Sequence, residues 1–342
     1  MGTVLLLALI LCFVPAFAQR VELREVPRRT LPTQIDGNSP AFWYIGELRL
    51  FSSTGHTEML SRARDQFGPW ESELVDLDLQ QHIPVWVEAA WLDDDGTLFA
   101  WYHHEPSGVC GENSSLTAPE IGAAISRDGG KTLEDLGIVL KSGEYPNCEA
   151  QNGFFAGGHG DFSVVLDRDR RFFYFLFTNY GGPAEEQGIV VARLAFEDRY
   201  APVAAVYKYY QGDWTEPGLA GRMTPIFPAT VTWERAEANS FWGPSVHWNT
   251  YLRKYVMLLN HACCEPGWPQ EGIYISLNAD LRQPDQWRQP QRLLKGSQIG
   301  FHPGFYPQVM GLEAGETDSL AGWYARLYIH GISTWEIIFT DD

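Results

Sequence analysis

An all-β fold built from repeated four-stranded units is what this sequence predicts, and three observations carry that prediction. Short segments throughout the chain alternate apolar and polar residues at a period of two, or run continuously through β-branched and aromatic residues. Turn signals fall between those segments, and Asp-Gly at such a point supplies the positive φ that a tight hairpin requires. The resulting hairpins repeat five times along the chain.

The clearest strands are Glu47 to Phe51, Thr97 to His103, Phe172 to Thr178, Tyr255 to Asn260, Gly272 to Leu277 and Arg326 to His330. Turns at Asp93-Asp94-Asp95-Gly96, Asp128-Gly129-Gly130, Asp167 to Arg170 and Trp248-Asn249-Thr250 separate them. Each unit opens with a short strand carrying small residues, turns, and continues with a strongly aromatic strand. The openings are Ser39-Pro40-Ala41-Phe42-Trp43, Glu88-Ala89-Ala90-Trp91, Asp161 to Val165, Gly243 to His247 and Tyr306 to Met310. Third strands follow at Ile121 to Ser126, Gly188 to Arg193 and Gly272 to Ser276, and a fourth at Trp287 through Leu294. Four strands per unit and five units describe a five-bladed β-propeller with antiparallel blades. A β-sandwich or two small β domains is the competing reading of the same strands.

The first eighteen residues stand apart from that pattern. Val4 to Phe13 is an apolar run too short to span a bilayer comfortably, and Ala16-Phe17-Ala18 is a small-x-small cleavage pattern. We therefore expect a signal peptide at 1–18, a single propeller domain at 19–342, and a secreted or periplasmic protein. The four remaining cysteines, Cys110, Cys148, Cys263 and Cys264, are an even set in an exported chain, which favours disulfides. Cys110 and Cys148 are expected to pair. Cys263 and Cys264 are adjacent, and either bond to each other or pair elsewhere. No histidine sits at a familiar zinc spacing to either pair, so neither a metal nor another cofactor is expected.

Charge narrows the partners. Lys+Arg is 25 and Asp+Glu is 43, a formal balance of −18. That excess repels phosphate backbones and anionic bilayers, which excludes nucleic acid and, once the leader is removed, membrane as partners.

The pattern of strands resembles the five-bladed propeller glycoside hydrolases, the arabinanase/xylosidase and invertase-like superfamily. Ser126-Arg127-Asp128-Gly129-Gly130-Lys131-Thr132-Leu133 also fits an Asp-box, a structural turn at a blade periphery. The resemblance implies an oligo- or polysaccharide substrate and three carboxylates in a central funnel, on the innermost strands of early blades. The matching residues are Asp36, before the first innermost strand; Glu88, opening the second; and Asp161, opening the third. Glu216 lies where arabinanase-like members keep their acid and is the alternative proton donor to Glu88. One carboxyl must donate a proton to the leaving oxygen while another, ionised, attacks or activates water. Crowding acids raises at least one pKa, which keeps that group protonated near neutrality.

Further candidates lie at strand ends. Trp43, Trp242 and Tyr306 offer faces for sugar stacking, and His104, His159, His247 and Gln308 offer polar contacts. A non-catalytic glycan-binding propeller is the alternative function. A sialidase-like enzyme ranks below it, because no arginines open the innermost strands.

Overall fold

The computed structural model describes residues 20–340, so the expected leader lies outside the described residues. Five β-sheets follow one another along the chain, each built around an innermost strand. Blade one uses Ala41–Tyr44, Glu47–Ser53, Glu58–Ala63 and Glu71–Leu74. Blade two uses Val85–Leu92, Leu98–His104, Glu120–Ser126 and Thr132–Leu140, and Asp76–Asp78 joins its outer edge in parallel. Blade three begins with His159–Leu166, Phe172–Asn179 and Gly188–Ala195 and continues outward through Val206–Tyr210 and Asp213–Pro217. Blade four comprises Asn239–Asn249, Lys254–Cys263, Gln270–Asn278 and Gln291–Lys295.

Blade five departs from the simple repeat. Pro307–Gly311, Tyr324–Ile329 and Ile332–Thr340 come from the end of the chain, and Arg20–Thr30 supplies the outermost strand. The sequence pattern gave no sign of that strand, since its partner lies about three hundred residues away (Arg20 pairs Thr340). Val21 and Leu23 pack inward on Phe339 and Ile337, while Arg24 reaches Glu336 at 3.1 Å. The ring is locked a second time near the axis, where Gln308 accepts from the Ser39 N–H and donates to its carbonyl (2.7 and 3.0 Å). The fourth strand of blade four is shorter than expected: Trp287 precedes it, in a loop, buried against blade three.

Apolar residues between neighbouring blades form the core. Trp101, Phe173, Phe175 and Phe162 fill the space between blades two and three. Tyr174, Leu176, Val246 and Met257 do so between blades three and four. The Asp-box hairpin lies at the periphery as expected. Asp128 Oδ1 accepts from the Lys131 and Thr132 N–H groups, both at 3.0 Å, and Leu133 is buried behind it.

Candidate active site at the mouth of the axis

Three innermost strands are interrupted at the same end. The register slips between Val87 and Ala89, between Gly160 and Phe162, and between Trp242 and Ser245. A bulge bends the strand and re-aims the extra residue. Here the extra residues are Glu88, Asp161 and the Gly243-Pro244 pair. Asp161 has a φ of 42°, a left-handed conformation that a non-glycine residue adopts at a cost. It is bounded by Gly160, where an added Cβ would come within 2.5 Å of the His103 ring. The backbone is thus shaped so that Asp161 turns out of the strand and His103 lies flat against it.

Asp36 arrives on the loop before blade one. Its N–H donates to the Ser53 carbonyl at 2.8 Å, and Asn38 ties the same loop to the Phe162 carbonyl at 2.9 Å. Asp36, Asp161 and Glu105 line one cavity of about 400 Å³. Its walls are aromatic: Trp86, Phe154, Phe155, Trp242, Trp268, Phe305 and Tyr306. Among the described residues, no lysine or arginine lines it. Two loops that form the wall are stapled by the Cys110–Cys148 disulfide, the expected pairing. Backbone bonds between Thr117 and the 154–156 segment join them again. Cys263 and Cys264 are bonded to each other at the root of the loop that carries Trp268.

Glu88 belongs to this cluster but not to the cavity surface. It is buried, and its Oε2 accepts the Phe162 N–H at 2.7 Å. Its Oε1 lies 3.8 Å from His103 Nδ1. Burial, joined by the charge of Asp161, pushes its pKa up to about 8. Asp161 is also raised, by burial first, although His103 and the Tyr180 hydroxyl that bonds its Oδ2 favour the ionised form. Asp36 is open to the cavity, yet protein surrounds it closely enough that desolvation raises its pKa. His330, His103 and the Trp86 indole oppose that shift.

His103 connects these groups. Its Nδ1 accepts the Asp161 N–H at 3.1 Å, and its Nε2 is 3.2 Å from Glu105 Oε1. Burial opposes a charge on the ring, but Glu105, Glu88 and Asp161 outweigh it and push the pKa up to about 9. A second proton at Nδ1 would displace the Asp161 N–H, because an N–H cannot accept. A ring that keeps that bond therefore carries its single proton on Nε2, while the surrounding acids favour the doubly protonated form in which the bond is broken. One donor atom each from Glu88, His103 and Asp161 lies within 4.8 Å of the others, a spacing a metal ion can also bridge. A metal on Nδ1 would have to expel the same N–H, and one oxygen each of Asp161 and Glu88 already holds a protein donor. The donor set therefore suits proton sharing better than metal binding.

Behind Glu88 lies a second buried acid. Glu58, in blade one, receives the Ser53 hydroxyl and, at 3.4 Å, the Val87 N–H. Burial pushes it up to about 8 as well.

Of the residues singled out from sequence, Asp36, Asp161, Trp242 and Tyr306 meet at this cavity, with Glu88 beneath them. The others do not. Glu216 lies on the outermost strand of blade three and accepts the Arg222 N–H at 2.9 Å, far out along the blade from the axis. Trp43 is at the opposite end of its strand, donating to the Glu316 carbonyl at 2.9 Å. His104 points to the other face from His103 and bonds the Pro84 carbonyl at 3.1 Å. His159 is buried against Lys208 (3.0 Å); burial and that ammonium hold its pKa well below the usual range. His247 packs on Phe339 of blade five and is pushed down to about 3 by burial. Gln308 is the clasp between blades five and one.

Sequence reasoning passed over Trp86, Tyr180, Trp268 and Phe305. Of the adjacent histidines it chose His104 rather than His103, and it gave Glu105 no role. Another cavity, of about 370 Å³, lies between Trp91, Arg168, Arg170 and Trp248. It offers no pair of acids: its one carboxylate, Asp167, is occupied by the Arg171 N–H at 2.7 Å.

No family model and no curated protein matches the sequence. Solved structures do match in shape. A thermostable family-43 glycoside hydrolase superimposes with a TM-score of 0.52 at 12% identity, over 89% of this chain and 88% of that one. An exo-1,5-α-L-arabinanase from a bovine ruminal metagenomic library gives 0.51 at 11%, over 90% and 95%. A family-43 β-1,3-galactosidase with galactodeoxynojirimycin gives 0.51 at 13%, over 89% and 90%. The chain thus shares with these glycoside hydrolases the five-bladed β-propeller fold.

Proposed function

We propose that the protein is an exported glycoside hydrolase that takes a sugar residue into the funnel at the mouth of its axis. The carrying observation is convergence. Asp36 and Asp161 reach one aromatic-walled cavity from different blades, with Glu88, its pKa raised by burial, beneath them. Glycoside cleavage needs an ionised carboxylate beside the anomeric carbon and a protonated group at the leaving oxygen. Asp36, the more open of the two, is placed to attack or to activate water. Asp161, fixed by Tyr180, holds the substrate and the field around it. Aromatic faces suit the C–H faces of a sugar ring. A lining without lysine or arginine disfavours acidic sugars, and neutral glycosides such as galactosides, arabinosides and xylosides are the substrates to try.

The test is a screen of aryl glycosides and oligosaccharides with wild type and Asp161→Asn. Turnover by the wild type that the variant loses supports the reading. Saturable sugar binding with no turnover by the wild type replaces it with a glycan-binding propeller. Export is supported by the leader pattern and by the oxidised Cys110–Cys148 pair. An intact mass beginning at Gln19 checks it, and retention of Met1 refutes it.

A further inference from the structure

Within the hydrolase reading, we propose that the proton donor is Glu105, and that His103 positions it. Glu105 is the remaining carboxyl on the cavity wall, with a side chain 27% exposed against 2% for Glu88. Glu88 is too deep to touch a leaving oxygen, and both its position and its Phe162 bond hold it there. Glu105 follows directly on the second strand of blade two, Leu98–His104, so it is carried by a fixed element. His103 packs into the space left by Gly160 and stacks edge-on to Trp86 (5.3 Å), so its ring has one orientation. Its Nδ1 is engaged by Asp161, and its Nε2 lies 3.2 Å from Glu105 Oε1, an ion-pair distance without the alignment of a hydrogen bond. That contact leaves the other Glu105 oxygen for the substrate.

In the step this implies, the bond from the anomeric carbon to the leaving oxygen breaks with its electron pair on oxygen. The Glu105 proton completes the leaving hydroxyl. Water supplies the hydroxyl that ends on the anomeric carbon, and its other proton passes to Asp36. Asp36 is left protonated and Glu105 ionised, and exchange with solvent resets both.

A general acid matters only when the leaving group needs its proton. The experiment therefore compares Glu105→Gln with wild type on one sugar bearing either an alkyl or sugar leaving group or a 2,4-dinitrophenyl group. We expect kcat/KM to fall about 100-fold or more on the first and less than about tenfold on the second. His103→Asn keeps an acceptor for the Asp161 N–H but drops the Glu105 contact, and should show the same leaving-group dependence, weaker. Equal losses on both substrates, or no loss on either, overturn the assignment of Glu105 while leaving the hydrolase reading intact. A wild type inert on every glycoside overturns both.

Discussion

Glu58 and Glu88 are a natural control pair. Both are buried glutamates on early blades, both take a backbone N–H, and burial raises both to about 8. Their surroundings differ. Glu58 meets only Ser53 and the Val87 N–H, and its Oε1 finds no hydrogen-bond partner. Glu88 meets Asp161, His103 and, further off, Asp36. Burial alone therefore makes a neutral acid, a cheap property of a β-propeller core. Chemistry needs that acid to lie beside other ionisable groups and an opening.

The sharpest way to break the comparison is activity. Asp36→Asn, at the opening, should lower kcat/KM by about 10²–10⁴-fold, whereas Glu58→Gln should stay within about threefold of wild type. Comparable losses would mean that Glu58 belongs to the catalytic cluster.

Stability against pH should show the reverse ranking. A carboxyl whose folded pKa is raised binds its proton more tightly folded than unfolded. The stability it lends is complete below about pH 4.5 and is lost as pH rises through about 8. For Glu58 this is on the order of 5 kcal/mol. Glu58→Gln is neutral at every pH, so its denaturant midpoints at pH 5 and pH 9 should lie closer together than those of wild type. An unchanged gap would place Glu58 in contact with water.

The smallest effect concerns the neighbour that Glu58 lacks. Tyr180→Phe removes the hydroxyl that favours ionised Asp161, so the pKa of that aspartate should rise further. We expect kcat to fall by about tenfold, the scale of one hydrogen bond to a charge, and the acid limb of the pH–rate profile to move up. A profile that does not move would assign Tyr180 to packing alone.

Much of the blade pattern was legible because period-two alternation reports which face of a strand is buried. Glu88 and Asp161 were legible for a related reason, because a carboxylate at the start of an apolar strand is otherwise costly, whereas Asp36 was named through the family resemblance. What alternation cannot give is which face meets the axis. His103 and His104 are adjacent, so one of them had to face the cluster, and their identities alone could not decide it. Bulges blur the code further, since Glu88 and Asp161 are the extra residues that turn toward the acid cluster. Glu216 was misplaced because a blade-three sheet that extends beyond four strands carries it to the rim. Trp268 and Phe305 arrive on loops, where no periodicity marks a wall.

The strand Arg20–Thr30 has a consequence for the order of events in biosynthesis. It is synthesised before every other strand described, yet its place in the sheet exists only once Ile332–Thr340 has been made. While the strands between them are made, it has no partner in the sheet. Six of its eleven residues carry charge: Arg20, Glu22, Arg24, Glu25, Arg28 and Arg29. Proteins commonly place charge, and proline such as Pro27, on strands that must not recruit a stranger. The composition that hid this strand from pattern reading is thus what lets it stay single until the last blade is ready.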